Sequence, residues 1–417
     1  LADIIAKQGV DIDVAHKLLI ADRDAFVADE NDEHPETHPY QDNFAETLGK
    51  DSYGGDYIID EAAEFWRTDG DKWVDADPQE RMESFRERGY VKMVDNMRDL
   101  CHAVNCDFDR WYSERSLYVK DTEGETAGTS AVDRAFEKLD KMGYLYTKDG
   151  ALWFRSTDLG DDKDRVLIKS DGEYTYFASD VAYHWDKFQR VDHVIDIWGA
   201  DHHGHVARLQ AALDGLGLDG SHRLIIVLMQ LVNLLQDGQP VRMSKRSGKA
   251  IALRDLLDEV SVDAARFFFN SRSSTSALDF DLDLAVREDS ENPVYYVQYA
   301  HARICSLIAR LAEEGHLVPD AAAVDPALYA TAEEKALIKT LSQLPEVIRL
   351  AARDYDPSGV NRYLVTLAGE FHRFYNACRI KGEEAAVLAA RLKLADTVRA
   401  VIANCLSLIG VAAPEKM

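Results

Sequence analysis

The stretch Val194-Ile-Asp-Ile-Trp-Gly-Ala-Asp-His-His-Gly-His205 decides the fold of the first part of this chain. Its first five residues are rich in β-branched side chains and predict a short buried strand, and its glycines mark a turn. Apolar side chains then repeat at helical spacing and predict a helix over 205–216. Residues 224–228 predict the next buried strand. This strand–loop–helix–strand order is typical of a doubly wound parallel α/β sheet.

A different pattern begins at Asn292. Asn292 and Pro293 supply an N-cap and a proline at the first helical position, and apolar side chains then repeat at helical spacing. No strand pattern follows, and further helices are predicted over 331–352, 358–379 and 383–410. We therefore predict three parts: an acidic segment over 1–50 without an assignment, an α/β domain over 51–290, and an all-α domain over 291–417.

The charge of the 417 residues is unevenly distributed. The whole chain carries −26, and residues 291–417 carry only −1, so residues 1–290 carry −25. A large acidic excess disfavours sequence-blind binding to nucleic acid, but the near-neutral last part can approach a polyanion without long-range repulsion. The longest apolar run, over 224–235, is shorter than the roughly 18–20 residues of a membrane span. Five cysteines without a CxxC pair predict reduced thiols in a cytoplasmic protein.

A basic loop follows a strand-like run and the turn Asp237-Gly238. Its sequence is Val241-Arg-Met-Ser-Lys-Arg-Ser-Gly-Lys249, in which cations alternate with small or flexible residues. Such a loop can close over a polyphosphate and neutralise the charge that grows as pyrophosphate leaves. The competing interpretation is a solvated basic turn without a ligand.

A second candidate site lies in Tyr176-Phe-Ala-Ser-Asp180, where a tyrosine and an aspartate are four residues apart. On a helix start they share a face, and a carboxylate there can hold a guanidinium through two parallel hydrogen bonds. The competing interpretation is an exposed capping aspartate. Asp201 follows a predicted strand, at the sheet edge where α/β proteins bind ligands. Gly199 and Gly204 would allow the backbone to approach a nucleotide closely.

The basic loop resembles the KMSKS signature of class I aminoacyl-tRNA synthetases, with Arg242 in place of the first lysine and Arg246 in place of the last serine. Other segments resemble bacterial-type arginyl-tRNA synthetase, and the resemblance runs from about residue 53 to 417. They are residues 151–158, 198–204, 253–257, 279–283 and 292–303. The resemblance implies an α/β fold in which the class I doubly wound parallel sheet, incomplete here, precedes an all-α helical-bundle anticodon-binding domain of the DALR type.

The resemblance also implies an activity. The enzyme would join L-arginine to ATP as arginyl-adenylate and transfer the arginyl group to the 2′-hydroxyl of the terminal adenosine of tRNA(Arg). Mg²⁺ would accompany ATP as substrate, and neither a tightly bound cofactor nor a protein-bound metal is implied. A cytoplasmic monomer without a membrane partner is expected.

The resemblance assigns a role to each candidate residue. In catalysis, Lys245 would stabilise the leaving pyrophosphate while Ser244 and Met243 shape the loop. Arginine would be held by Tyr176 and Asp180, and Asp201 would contact either arginine or the ATP ribose. The residues implied to bind ATP are Gly199, His202, Gly204, Arg242 and Lys245. Those implied to lie near the anticodon are Tyr296, Tyr299, Tyr375 and Met417. Periodicity alone instead favours Tyr296 and Tyr299 as core residues.

The second signature of class I synthetases, HIGH, needs separate treatment. His202-His-Gly-His205 fits HxGH, but it lies too close to the basic loop to leave room for both halves of the sheet. We reject it as HIGH, and a metal site formed by these histidines is a minor alternative. We expect the first quarter to third of the enzyme to lie outside this sequence, so that the 417 residues alone are inactive. The remaining alternatives are a class I synthetase for another amino acid and a non-catalytic tRNA- or RNA-binding paralogue.

Overall fold

The computed structural model describes residues 1–29, 56–241 and 252–417. Its residues form two compact units. The first comprises Leu1–Asp107, Leu235–Arg266 and Asp281–Glu288, and the second comprises Phe108–Leu234, Phe267–Phe280 and Asp289–Met417. Across the residues described, no helix is both long enough and apolar enough to cross a membrane.

Helices dominate the described part of the chain. The first eight are α1 (Ala2–Gln8), α2 (Ile12–Asp29), α3 (Asp56–Asp69), α4 (Pro78–Ala103), α5 (Ala131–Lys141), α6 (Tyr176–Phe188), α7 (Val206–Gly215) and α8 (Gly220–Arg223). The others are α9 (Leu253–Glu259), α10 (Val262–Phe269), α11 (Leu282–Ala285), α12 (Pro293–Glu313), α13 (Ala332–Ser342), α14 (Leu344–Asp354), α15 (Ser358–Ala377) and α16 (Ala385–Leu408). Short 3-10 helices cover Glu114–Tyr118, Ser156–Leu159, Ala200–His205, Ala321–Ala323 and Pro326–Leu328.

The strands are short. They are β1 (Leu145–Lys148), β2 (Ala151–Phe154), β3 (Arg165–Ile168), β4 (Val194–Gly199), β5 (Leu224–Met229), β6 (Val232–Gln236), β7 (Gln239–Pro240) and β8 (Leu278–Asp281). They form an antiparallel sheet β1-β2-β3, a parallel pair β4-β5, and a small sheet in which β6 lies between β7 and β8.

Ion pairs join the helices of the first unit. Nε2 of His16 on α2 lies 2.6 Å from Oδ1 of Asp60 on α3, and Arg67 Nη2 lies 2.8 Å from Asp13 Oδ1. Helix α4 begins after Asp77, whose carboxylate accepts backbone hydrogen bonds in the manner of an N-cap.

The parallel pair in the second unit confirms the predicted strand–loop–helix–strand order. Strands β4 and β5 pair in register from Val194–Leu224 to Gly199–Met229, with α7 between them in the chain. One side of β4 is buried, because Val194 is 5% exposed and Asp196 is 8% exposed. The core on this side contains apolar side chains of α5, α6 and α7, including Leu139, Val181 and Leu213. This core therefore fixes α6 and the end of β4, which carry the candidate site.

A helix cap and a predicted turn are present. Ser130 forms a capping box with Asp133 at the start of α5. Asp237 and Gly238 both have positive φ angles, 51° and 68°, and join β6 to β7 as a two-residue hairpin turn. This turn geometry matches the right-handed twist of paired strands and suits an Asp-Gly dipeptide. It leads the chain directly towards Val241, the last described residue before the basic loop.

Residues 292–417, all of which the structure describes, form helices without strands. Asn292 caps α12 by accepting a hydrogen bond from Val294 N, and Pro293 is the first helical residue, as predicted. The prediction of one helix over 331–352 is wrong. The structure has α13 and α14 on either side of Gln343, with Pro345 at the start of α14. Proline has no N–H and its ring clashes with a preceding helical turn, so the helix is interrupted there.

Candidate functional site

Helix α6 carries the predicted guanidinium-binding pair. Tyr176 is its first residue and is 88% exposed, and Asp180 follows one turn later in a half-buried position. Burial raises the pKa of Asp180, and the charges of His184 and Arg208 oppose this shift without cancelling it. The carboxylate is therefore poorly compensated and favours the approach of a cation. Tyr176 lies on the same helix face one turn before Asp180, and its ring is exposed to solvent there.

A buried network lies on the inner side of α6. Nδ1 of His184 is 2.7 Å from the backbone oxygen of Asp180, and Nε2 is 2.5 Å from Oδ2 of Asp196 in β4. Lys187 Nζ donates to Oδ1 of Asp196 at 2.7 Å. Burial raises the pKa of Asp196, but hydrogen bonds from His184 and Lys187 outweigh burial, and the pKa ends below its usual value. The network therefore holds an ionised aspartate inside the unit and joins α6 to β4.

Strand β4 ends at Gly199, and another residue occupies the space that a side chain at this position would need. A Cβ atom at Gly199 would lie 2.5 Å from Oδ1 of Asp201, so a side chain there would displace that carboxylate. The side chain of Asp201 is 81% exposed, and its Oδ2 is 3.6 Å from Nε2 of His202. The space around Gly204 is open, because a Cβ atom there would meet no other atom within 4 Å. Asp201 is thus presented to solvent at the carboxyl end of a parallel strand.

The three histidines after Asp201 occupy a 3-10 turn rather than an extended loop. The rings of His202 and His205 are 5.1 Å apart, and Nδ1 of His203 faces the backbone oxygen of Ala200 at 3.2 Å. Burial lowers the pKa of His205, and the charges of Arg208 and His202 lower it further. In the part of the chain that is described, no group of three or more His, Cys, Asp or Glu residues has the geometry of a metal site.

The basic loop lies in a part of the chain outside the described residues. This holds for its four candidate residues Arg242, Met243, Ser244 and Lys245. The structure does describe the predicted turn at Asp237-Gly238, which precedes the loop in the chain and ends two residues before Pro240.

Aromatic side chains of α12 and α15 surround a cavity of about 370 Å³ in the helical region. The rings of Tyr295 and Tyr299 are stacked with centroids 6.3 Å apart, and the His372 ring lies 4.9 Å from that of Tyr296. Tyr299 is 41% exposed. The lining residues are Ser290, Tyr295, Tyr296, Tyr299, Arg303, His372 and Asn376. Neither Tyr296 nor Tyr299 is fully buried, which disagrees with the interpretation that both are core residues.

One residue of the cavity wall, His372, has a polar atom without a hydrogen-bond partner among the described residues. Nε2 of His372 is buried and has no hydrogen-bond partner among the described residues. Burial lowers the pKa of His372, and the charge of Arg303 lowers it further. A neutral imidazole among aromatic faces can stack on a planar ligand and hydrogen-bond to its edge.

The end of the chain is held on α12. Nε2 of Gln298 donates to the backbone oxygen of Ala412 at 2.9 Å, and Nδ1 of His301 lies 2.9 Å from the backbone oxygen of Pro414. His301 is only 3% exposed and therefore serves this contact rather than the surface. Met417, three residues further on, is 54% exposed.

Comparison with known proteins agrees with this layout. Residues 80–287 match the family described as the catalytic domain of class I tRNA synthetases (R), and residues 297–417 match the DALR anticodon binding domain. A solved structure from Campylobacter jejuni, described as a candidate arginyl-tRNA synthetase, is 32% identical with a TM-score of 0.78. The match covers 96% of this chain and 82% of that one. This chain belongs to the arginyl-tRNA synthetase family.

Two curated relatives extend the comparison. The arginine–tRNA ligase of Caldanaerobacter subterraneus subsp. tengcongensis is 48% identical over 88% of this chain and 64% of its own length. That of Syntrophotalea carbinolica is 47% identical over 91% of this chain and 67% of its own length. The chain thus spans about two thirds of the length of these two arginyl-tRNA synthetases. Membership of this family confirms the predicted fold class and disfavours a class I synthetase for another amino acid.

Sequence reasoning did not identify four polar residues that lie at or beneath the candidate sites: His184, Lys187, Asp196 and His372. Asp196 interrupts the apolar run of β4, and His184 lies one helical turn after Asp180. A charged residue in a buried parallel strand was a visible signal, since it needs a buried partner. The identity of that partner depends on how α6 packs on β4, which the sequence does not display.

Proposed function

We propose that this chain carries the arginine-binding, KMSKS-like and anticodon-binding parts of an arginine–tRNA ligase. The enzyme activates L-arginine with ATP as arginyl-adenylate and transfers the arginyl group to the 2′-hydroxyl of the terminal adenosine of tRNA(Arg). The observation that carries the proposal is the presence of both family regions in one chain, at 47–48% identity to arginine–tRNA ligases. The proposed domains are residues 51–290 for catalysis and 291–417 for the anticodon, after the unassigned segment 1–50.

Arginine selection is proposed for Tyr176 and Asp180. A guanidinium offers two parallel N–H groups to one carboxylate, whereas the ammonium of lysine is a point charge that cannot match this geometry. The raised pKa of Asp180, caused mainly by burial, supports the proposal because a bound guanidinium would restore the stability of the ionised form. Asp201 contributes to the same end of the sheet, where it contacts either the arginine or the ATP ribose.

ATP binding is proposed for the end of β4 and for the basic loop. Gly199, His202 and Gly204 would border the nucleotide, with Arg242 and Lys245 on its phosphates. Lys245 would neutralise charge on the departing pyrophosphate, and Ser244 and Met243 would shape the loop. Catalysis by positioning and charge neutralisation needs no covalent enzyme intermediate. ATP would enter with Mg²⁺ as its counterion, as a substrate pair rather than a resident cofactor.

Recognition of the anticodon is proposed for the aromatic cavity between α12 and α15. Tyr296, Tyr299 and Tyr375 would stack on unpaired bases, and Met417 would complete the surface from the end of the chain. The helical region supports this because its net charge is −1. An RNA backbone can approach it without the repulsion expected from the acidic first part. A cytoplasmic, monomeric enzyme stays our expectation.

The test is aminoacylation with radiolabelled arginine and tRNA(Arg). The protein isolated from its natural source should form arginyl-tRNA, and its intact mass and N-terminal sequence show whether a HIGH motif precedes these 417 residues. The 417-residue chain alone should not catalyse arginine-dependent ATP–pyrophosphate exchange. If the natural protein binds tRNA(Arg) without charging it, a non-catalytic RNA-binding protein replaces the ligase as the proposed function.

A further inference from the structure

The buried network beneath α6 contacts the candidate arginine site through the backbone. His184 lies between the carbonyl of Asp180 and the carboxylate of Asp196, and both contacts are short, 2.7 Å and 2.5 Å. His184 is 3% exposed and Asp196 is 8% exposed, so water competes little for either group. We propose that His184 and Asp196 are positioning residues that set the place and the charge of the arginine-binding carboxylate of Asp180. This inference rests on the proposed arginine site.

The hydrogen-bond partners hold the His184 ring at both ends. A backbone carbonyl can only accept, so Nδ1 donates to Asp180 O. Nε2 faces Oδ2 of Asp196 at 2.5 Å, and Lys187 Nζ, which donates to the other oxygen of Asp196, lies 3.3 Å from the same nitrogen. The helical turn that bears Asp180 is thereby attached to β4, the strand that leads to Asp201 five residues after Asp196.

Stability alone is a weak reason for such a network. Buried ion pairs are expensive to desolvate, and well-packed apolar side chains in their place are often neutral or stabilising. An aspartate on the buried side of β4 therefore calls for a further role. Its position here is informative, because it contacts the His184 ring that also contacts the backbone oxygen of Asp180.

The charges that face Asp180 come from three elements. His184 and Lys187 lie on α6, Arg208 lies on α7, and Glu114 lies on the 3-10 helix before α5. Burial raises the pKa of Asp180, and His184 is the strongest of the charges that lower it again. Loss of the His184 charge should therefore raise the pKa of Asp180 further. Since a guanidinium pairs with the ionised form, arginine binding should then fail at a higher pH as the solution is acidified.

The experiment is made on the natural protein and compares His184→Gln with the wild type and with His193→Gln, an exposed histidine directly before β4. Aspartate side-chain carboxyl carbons are labelled with ¹³C, and the Asp180 signal is assigned by its loss in Asp180→Asn. The NMR titration gives the pKa of Asp180, and calorimetry with L-arginine at pH 6 and pH 8 gives its affinity. In His184→Gln the pKa of Asp180 should rise, and arginine should bind about tenfold more weakly, with the larger loss at pH 6. His193→Gln should match the wild type.

The outcomes separate the inference from the proposed function. A wild-type chain that does not bind arginine contradicts the arginine site and the inference together. A wild-type chain that binds arginine, with His184→Gln titrating and binding in the same way, contradicts the inference alone. If His184→Gln does not fold, Asp196→Asn decides, because it removes the carboxylate that faces Nε2 of His184. That variant should shift the Asp180 titration in the same direction, and an unchanged titration would overturn the proposal.

Discussion

The guanidinium of Arg303 lies over the ring of Tyr375, with its central carbon 4.1 Å from the ring centroid. Arg303 belongs to α12 and Tyr375 to α15, so the contact links the two helices that line the aromatic cavity. A guanidinium can stack on an aromatic face on one side and on a nucleobase on the other. The wall of the cavity is thus ordered by a cation–π contact before any ligand arrives.

Removal of the exposed ring of Tyr299 or of the half-buried ring of Tyr375 should weaken RNA binding. Tyr299→Ala and Tyr375→Ala are each expected to reduce affinity for an anticodon stem-loop of tRNA(Arg) by about 1–3 kcal/mol, the range for one base–aromatic stack. The measurement is fluorescence anisotropy with a labelled hairpin and the 417-residue chain. Tyr299→Phe keeps the ring and should retain most of the affinity.

The matched control for these variants is Leu408→Ala. Leu408 is a large apolar side chain on α16 that is 66% exposed. Its loss should leave RNA affinity unchanged. Wild-type affinity in both tyrosine-to-alanine variants would show that the aromatic cavity is not where the anticodon loop binds.

Deletion of Met417 should affect RNA and arginine differently. The preceding tail is anchored by Gln298 and His301, so the loss of one exposed residue leaves the helical region intact. We expect weaker binding of the anticodon stem-loop and unchanged binding of arginine, measured on the same preparation. Met417→Leu retains an apolar end and should lose less. An equal loss of both affinities would refute a role for Met417 at the anticodon.

Local patterns predicted most elements of this fold because their causes are local. The start of the parallel strand at Val194 and the turn at Asp237-Gly238 agree with the structure to the residue. So does the start of α12 after Asn292. Each depends on side chains within one or two turns of the position. The error at Gln343 has a local cause too, since Pro345 was a visible interruption.

The contacts within the candidate site could not be predicted in the same way. His184 meets Asp196 twelve residues away, and His372 meets Tyr296 across two helices. Such pairs depend on how elements pack, and one sequence contains no signal for that. The resemblance to a family supplied Tyr176, Asp180 and the anticodon tyrosines, but it gave no account of what holds them.

Lys245 should be essential for the activation step. In the natural protein with tRNA(Arg) present, Lys245→Ala is expected to slow arginine-dependent ATP–pyrophosphate exchange by about 10²–10³-fold, because a positioned cation at the leaving group is lost. Lys249→Ala removes the same charge at the end of the loop and should have a smaller effect. Exchange rates are measured at saturating arginine. Equal effects of the two substitutions would favour a general electrostatic role of the loop.

Two tyrosines of the helical region, Tyr363 and the half-buried Tyr329, should respond oppositely to loss of the hydroxyl group. Tyr363 is 5% exposed and its hydroxyl has no hydrogen-bond partner among the described residues, whereas the Tyr329 hydroxyl donates to Ala390 O at 3.0 Å. Tyr363→Phe should leave the free energy of unfolding unchanged or raise it, and Tyr329→Phe should lower it by about 1 kcal/mol. Urea unfolding followed by circular dichroism checks both. A cost for Tyr363→Phe as large as that for Tyr329→Phe would mean that its hydroxyl is satisfied after all.

The buried carboxylate of Glu334 should make stability depend on pH. Its side chain is fully buried, and Oε1 lies 2.7 Å from Nε of Arg391. Burial raises the pKa of Glu334, but hydrogen bonds from Thr331 and Arg391 outweigh it and leave the pKa below its usual value. The stabilisation is therefore complete above the unfolded-state pKa of about 4.3 and is lost as the pH falls through the lower folded-state pKa.

Arg391→Ala should cost about 3–5 kcal/mol at pH 7, because it leaves the buried charge unpaired. Arg373→Ala breaks a more exposed pair with Glu370 and should cost at most about 1 kcal/mol. Urea unfolding between pH 3 and pH 7 tests this, and equal costs for the two arginines would contradict it.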